Sequence, residues 1–171
     1  DRSRGLGDVY KRQAEGRTSI GNGNFLHEGV HVSHDTQIGN RSVFGYGSKI
    51  SGNCILEDYV IFGGNVLMSQ GSRVGAWAMI QTGCRFRKDI PPFIVAAQEP
   101  TTYYGVNSFI MSHEGFSEKV IKHISHAYRI IFQGNSSLTD ALLMIKDQVP
   151  MSKEIQHIID FVGESKLGIV K

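Results

Sequence analysis

The chain has 171 residues, 40% of them hydrophobic and 20% charged, which is enough apolar content for one globular domain and too much for a disordered chain. Eighteen Lys and Arg stand against sixteen Asp and Glu, and the resulting +2 gives no reason to invoke nucleic acid or an anionic membrane as partner. No apolar run nears the roughly 18 residues of a membrane helix, and two cysteines, Cys54 and Cys84, make neither a disulfide framework nor a metal-site spacing. A reduced, cytoplasmic protein is the expectation.

Residues 1–13, DRSRGLGDVYKRQ, fit neither of the two patterns that follow. Their mixed charges and two glycines read as a loose or non-native tail. They look like a translated sequencing-adapter scar, which would make the chain an N-terminally truncated protein starting near Ala14; a native, divergent segment is the alternative.

From Ile20 every sixth residue is apolar: Ile20, Leu26, Val32, Ile38, Phe44, Ile50, Leu56, Phe62, Met68, Val74, Ile80 and Phe86. The residue after it is often Gly, and the fifth position is small or β-branched, as in Thr36, Ser42, Ser48, Cys54 and Ala78. Neither a helix nor a hairpin has a period of six. A prism-shaped β-solenoid does, with three hexads per coil, the large residue inside and the small one where space narrows. Four coils are predicted over residues 14–91, divided as 20–37, 38–55, 56–73 and 74–91. Residues 18 apart then stack at about 4.8 Å. The glycines are expected to relieve the backbone near the turns.

Pro91 and Pro92 cannot extend a hydrogen-bonded ladder, so 92–115 reads as a connector. Residues 116–171 then change to helical periodicity. Ser117, Ser137 and Ser152 are candidate N-caps for three helices, the first stopping near Gly134.

The chemistry-bearing residues of the solenoid cluster early. His34 is third in its hexad, at an outward corner, with Asp35 beside it: a general base with an orienting carboxylate. Gly52 lies one coil on, with an amide that no Cβ obstructs. Gln70, one coil further, is a neutral hydrogen-bonding group. A base, an open amide and an amide side chain on one corner suit acyl transfer. The competing reading is an ordinary surface histidine above a corner glycine. A second alternative is zinc, with His27, His31 and His34 as ligands.

The hexads, His31-Val32-Ser33-His34-Asp35, Asp89-Ile90-Pro91-Pro92-Phe93, Gly105-Val106-Asn107, Gly115-Phe116-Ser117 and the helical tail together resemble one family from Ala14 to Lys171. It is the acyl-carrier-protein-dependent UDP-N-acetylglucosamine O-acyltransferases, which begin lipid A synthesis. The wording around Asn65-Val66-Leu67-Met68 and Gly83-Cys84-Arg85-Phe86 is similar to the Bacteroidetes branch.

The resemblance implies a mainly β fold, a left-handed parallel β-helix with a C-terminal α-helical domain, assembled as a homotrimer with active sites between subunits. It implies transfer of a 3-hydroxyacyl chain from acyl carrier protein to the 3-hydroxyl of UDP-N-acetylglucosamine, without metal or organic cofactor. It gives His34 and Asp35 the roles of base and carboxylate partner, and Gly52 that of oxyanion donor. His31, Gln70, Asn107 and His113 become substrate contacts, and Thr82 sets acyl-chain length where relatives carry glycine. The sequence departs from the family at Asn53 and Ser69, at the pair His113-Glu114, and at Phe109. These changes alter the phosphate grip and leave the base in place. They motivate two alternatives: a paralogue with another nucleotide-sugar or amine acceptor, and a non-catalytic trimeric scaffold.

Overall fold

The computed structural model describes residues 17–171, so the expectation for residues 1–13 lies outside the described residues. Two-residue strands recur every six residues and stack into three parallel sheets. One face carries β1 (Ser19–Ile20), β4 (Gln37–Ile38), β7 (Ile55–Leu56) and β10 (Arg73–Val74). A second carries β2 (Phe25–Leu26), β5 (Val43–Phe44), β8 (Ile61–Phe62) and β11 (Met79–Ile80). The third carries β3 (His31–Val32), β6 (Lys49–Ile50), β9 (Leu67–Met68) and β12 (Arg85–Phe86). Partners are 18 apart, as in Ser19 with Gln37 and His31 with Lys49. The architecture is the expected left-handed parallel β-helix.

The apolar first positions fill the prism. Phe44, Ile50 and Ile80 are fully buried, and Phe44 meets Phe62 edge to face at 5.0 Å. Small fifth-position residues line the narrow corners, and their hydroxyls bond the coils together. Thr36 Oγ1 donates to the Ser51 carbonyl at 2.9 Å and accepts the Cys54 N–H at 3.3 Å.

The role assigned to the glycines needs correction. The left-handed backbone conformation belongs to the fourth position of each hexad, one after another: Gly23, Gly29, Asp35, Arg41, Gly47, Asn53, Tyr59, Asn65, Gly71, Trp77 and Gly83 all have positive φ. Glycine at the second position serves close approach of the coils instead. A Cβ on Gly45 would stand 2.3 Å from the backbone of Gly63, and one on Gly75 would stand 2.4 Å from Pro92.

The 18-residue register also ends earlier than the hexads suggest. Phe86 still pairs with Met68, yet Ile90 pairs with Val74 and Val95 with Met79, each 16 apart. Two residues are therefore missing from the last corner. Asp89, 1% exposed, fills the gap: its Oδ1 accepts the Arg73 N–H at 2.9 Å.

The segment 92–115 has structure of its own. β13 (Ile94–Ala97) extends the second sheet beside β11, and β14 (Thr102–Val106) returns antiparallel to it. A short helix, α1 (Ser108–His113), follows. The helical part then holds α2 (Glu118–Gln133), α3 (Leu138–Gln148) and α4 (Lys153–Gly163). Ser117, Ser137 and Ser152 cap them through Oγ, accepting from Val120, Asp140 and Ile155 at 3.1, 3.1 and 3.2 Å.

Four contacts fasten the helical part to the solenoid. The buried Tyr128 hydroxyl donates to the Pro92 carbonyl at 2.6 Å. Asp89 Oδ2 accepts from Ser165 at 2.6 Å, while the Arg73 guanidinium lies 3.9 Å over the Phe161 ring. His157 Nε2 meets Glu57 Oε1 at 2.7 Å, and that same oxygen accepts the Ala76 N–H at 2.8 Å.

The Glu57 hydrogen bond, helped by its charge, holds the His157 pKa above the usual histidine value against an opposing effect of burial. Stabilisation from a raised histidine is complete below the unfolded value of about 6.5 and is lost as pH rises through the folded value. Chemical denaturation at pH 6 and pH 8.5 should therefore show the chain less stable at the higher pH. His157→Gln should flatten that difference, and an unchanged difference in the variant would remove His157 as its cause.

Candidate active site

The corner containing His34 is set by local backbone demands. Asp35 takes the left-handed fourth position, φ 56°, which Asp tolerates better than most residues. This turns its carboxylate back onto the preceding ring, with His34 Nδ1 and Asp35 Oδ2 3.0 Å apart. In the neutral ring, an Nδ1–H donated to that carboxylate leaves Nε2 free to accept a proton. The His34 side chain is 67% exposed, open to a substrate from solvent.

Gly52 lies buried beneath that ring. A Cβ there would stand 2.6 Å from both Cε1 and Nε2 of His34, so glycine is required if the ring is to hold its place. Some third-position amides on the other two edges are bonded, whereas those of Glu28, Tyr46 and Asp58, like that of Gly52, have no acceptor among the described residues. At one, the N–H groups of Asn22 and Asn40 each donate at 2.7 Å to side chains one coil up, Asn40 and Asp58. At the other, the Gly64 N–H donates to Thr82 Oγ1 at 3.2 Å. Among the described residues nothing accepts the Gly52 N–H. The Gln70 side chain is exposed one coil above.

The remaining candidates fall elsewhere. His31 is exposed on the flat face of β3, in register with Lys49. Thr82 belongs to the Gly64 edge and not to the His34 edge, so one chain does not bring the two together. Asn107 is 3% exposed, and its Nδ2 donates to the Trp77 carbonyl at 2.9 Å just before the start of α1. His113 is exposed at the other end of α1, its ring 5.0 Å from that of Phe109, which is itself 74% exposed. His27 packs on Phe25 at 4.4 Å. Among the described residues no three His, Cys, Asp or Glu side chains are placed to share a metal ion. No described helix is long and apolar enough to cross a membrane.

A left-handed hexapeptide prism with a helical C-terminal part and a histidine–carboxylate pair on its edge defines the hexapeptide-repeat transferases as a class, and comparison with known proteins narrows it. Residues 17–52 match the family profile described as bacterial transferase hexapeptide (six repeats), and 89–170 match UDP N-acetylglucosamine O-acyltransferase, domain 2. Curated acyl-[acyl-carrier-protein]–UDP-N-acetylglucosamine O-acyltransferases of Thiobacillus denitrificans and Halorhodospira halophila are 30% and 31% identical over 159 residues. These alignments cover 93% of this chain and 62% of each relative. The solved UDP-N-acetylglucosamine acyltransferase LpxA of Bacteroides fragilis is 47% identical, with a TM-score of 0.86 over 86% of this chain and 58% of its own. That of Francisella novicida is 29% identical, with a TM-score of 0.84 over 88% and 55%. The chain is thus similar over most of its length to hexapeptide-repeat UDP-N-acetylglucosamine O-acyltransferases, and it spans about three-fifths of the length of the curated relatives it matches.

Proposed function

We propose that this chain transfers a 3-hydroxyacyl group from acyl carrier protein to the 3-hydroxyl of UDP-N-acetylglucosamine, as a homotrimer in the cytoplasm. The observation that carries the reading is the His34–Asp35 pair held over a glycine whose N–H has no acceptor among the described residues. His34 Nε2 removes the sugar hydroxyl proton while the oxygen bonds to the thioester carbonyl carbon. The imidazolium that forms is supported by Asp35. Negative charge grows on the thioester oxygen, and the Gly52 N–H is the donor for it. As that charge returns, the carbon–sulfur bond breaks, and His34 gives its proton to the departing thiolate. Every proton is accounted for within the two substrates and one histidine.

Gln70, His31, Asn107 and His113 remain the proposed acceptor contacts. His34 and Thr82 lie on different edges of one prism, so a donor that meets both must lie between two copies. This supports the trimer.

The second reading, another acceptor, is favoured by Phe109 and by His113-Glu114 where the family carries charged grips. Mass spectrometry of the product separates the two. Incubation with 3-hydroxyacyl carrier protein should give an ester on UDP-N-acetylglucosamine. Transfer to the 3-amino analogue alone would select the alternative acceptor.

Thr82 bears on chain length. Its hydroxyl is tied to the Gly64 N–H, which fixes the rotamer and makes the side chain a rigid stop. Thr82→Gly should shift preference toward donors at least two carbons longer. A rate profile across donors that does not move would sink Thr82 as the ruler.

A further inference from the structure

We propose that Tyr46 is a specificity-determining residue whose hydroxyl recognises the 3-hydroxyl of the acyl donor. That the donor is a 3-hydroxyacyl chain transferred between two copies rests on the proposed function, whereas the place of Tyr46 rests on the coil register.

The third positions of the Thr82 edge are Glu28, Tyr46, Gly64 and Thr82, one per coil. Tyr46 is 59% exposed, an aromatic ring standing out from a corner where the fold asks for no such side chain. Above it comes a notch at Gly64. The φ of Gly64 lies outside the left-handed region, and a Cβ there would meet Tyr46 alone, 3.5 Å from the carbonyl oxygen and 3.9 Å from Cδ2. Those are ordinary contacts, so the backbone would accept a side chain and the notch is open to a ligand. The Tyr46 ring lies against its lower side. Thr82 closes the upper side, where its Oγ1 holds the Gly64 N–H. Within its own coil the notch is flanked by half-buried Ile61 and exposed Leu67, both apolar.

The register puts Tyr46 beside the start of the chain. Rotation about an axis parallel to the prisms keeps each coil of every copy at its own height. The thioester carbonyl sits at His34 and Gly52, in the first and second coils, and Thr82 of the facing copy is in the fourth. A chain running from one to the other passes the facing copy's second and third coils, which present Tyr46 and then Gly64. Tyr46 is level with Gly52 and so meets the first few carbons, and the hydroxylated carbon is two bonds from the carbonyl. Glu28 is one coil lower, on the side of the sugar. From Tyr46 to Thr82 is two coils, about 10 Å. At about 1.25 Å per carbon of extended chain, about eight carbons separate the two residues. Tyr46 therefore acts near the head of the chain and Thr82 near its tail. A phenolic hydroxyl both donates and accepts, which suits an alcohol partner.

Initial rates with a 3-hydroxyacyl carrier protein and with the same donor lacking that hydroxyl test the assignment. The unsubstituted protein should favour the hydroxylated donor by at least fivefold in kcat/KM. Tyr46→Phe keeps the ring and removes the hydroxyl. It should slow the hydroxylated donor about fivefold, the weight of one neutral hydrogen bond, and change the other donor less than twofold. Its chain-length profile should not move, whereas Thr82→Gly should move that profile and keep the hydroxyl preference. Equal slowing of both donors in Tyr46→Phe would reduce Tyr46 to shaping the groove and overturn the proposal. A preference that survives in Tyr46→Phe would overturn it too, as would transfer by the unsubstituted protein with no preference, which leaves the enzyme reading standing. Reaction of neither donor would end the enzyme reading, and calorimetric titration with 3-hydroxyacyl pantetheine and acyl pantetheine then decides Tyr46 without turnover. Tighter binding of the hydroxylated thioester, lost in Tyr46→Phe, keeps its role, and equal binding removes it.

Discussion

Gly52→Ala is expected to lower kcat/KM by about 10²-fold or more while leaving the fold intact. Gly52 is not among the residues with positive φ, so its backbone accepts alanine without strain. The collision is with one group, the His34 ring, whose Cε1 and Nε2 would lie 2.6 Å from the new Cβ. That ring is at the free end of an exposed side chain, so it swings away instead of unfolding the corner. Its contact with Asp35 is lost, and the methyl group stands where an oxyanion would approach the amide. Misplaced catalytic geometry and loss of one oxyanion donor each cost on the order of 10²-fold. Unfolding midpoint and turnover measured on the same preparation check this. A proportional loss of stability would assign Gly52 to packing.

His34→Ala should remove turnover by about 10²-fold or more, since general-base assistance is worth roughly that. An exposed corner residue contributes little to packing, so the melting temperature should hardly move. Gly52→Ala acts through the same ring, so the double variant should be little worse than His34→Ala alone. Independent effects would multiply; shared ones would not. Near-normal turnover in His34→Ala would reject the base assignment.

Much of the fold is legible in the sequence because a six-residue period has few structural solutions. The buried first positions, Phe44 and Ile80 among them, and the small fifth positions, Thr36 and Cys54, stand where the hexads put them. The three serine caps follow from residue type alone. The left-handed corners are legible two positions further along the hexad than the conspicuous second-position glycines. Gly23, Gly29, Asp35, Gly47, Asn53, Asn65, Gly71 and Gly83 recur at the fourth position and are the residue types that tolerate positive φ. Arg41, Tyr59 and Trp77 conceal the pattern, because there the coil stack imposes the conformation on residues that do not prefer it.

The site was less legible. The column His34, Gly52, Gln70 follows from counting by 18, and the structure places those three on one edge. Why Gly52 must be glycine does not follow from counting, because it depends on where the His34 ring leans. Nothing local to Asn107 shows that its amide faces the Trp77 carbonyl, 30 residues away. Glu57 and His157 are 100 residues apart, and no pattern in the chain pairs them.

The most direct test of the central claim is a time course of free thiol released from 3-hydroxyacyl carrier protein by this chain, with and without UDP-N-acetylglucosamine. The account predicts release only when the sugar nucleotide is present, in one-to-one proportion to sugar ester formed. Release at the same rate without the acceptor, or none above the blank with it, would contradict the account.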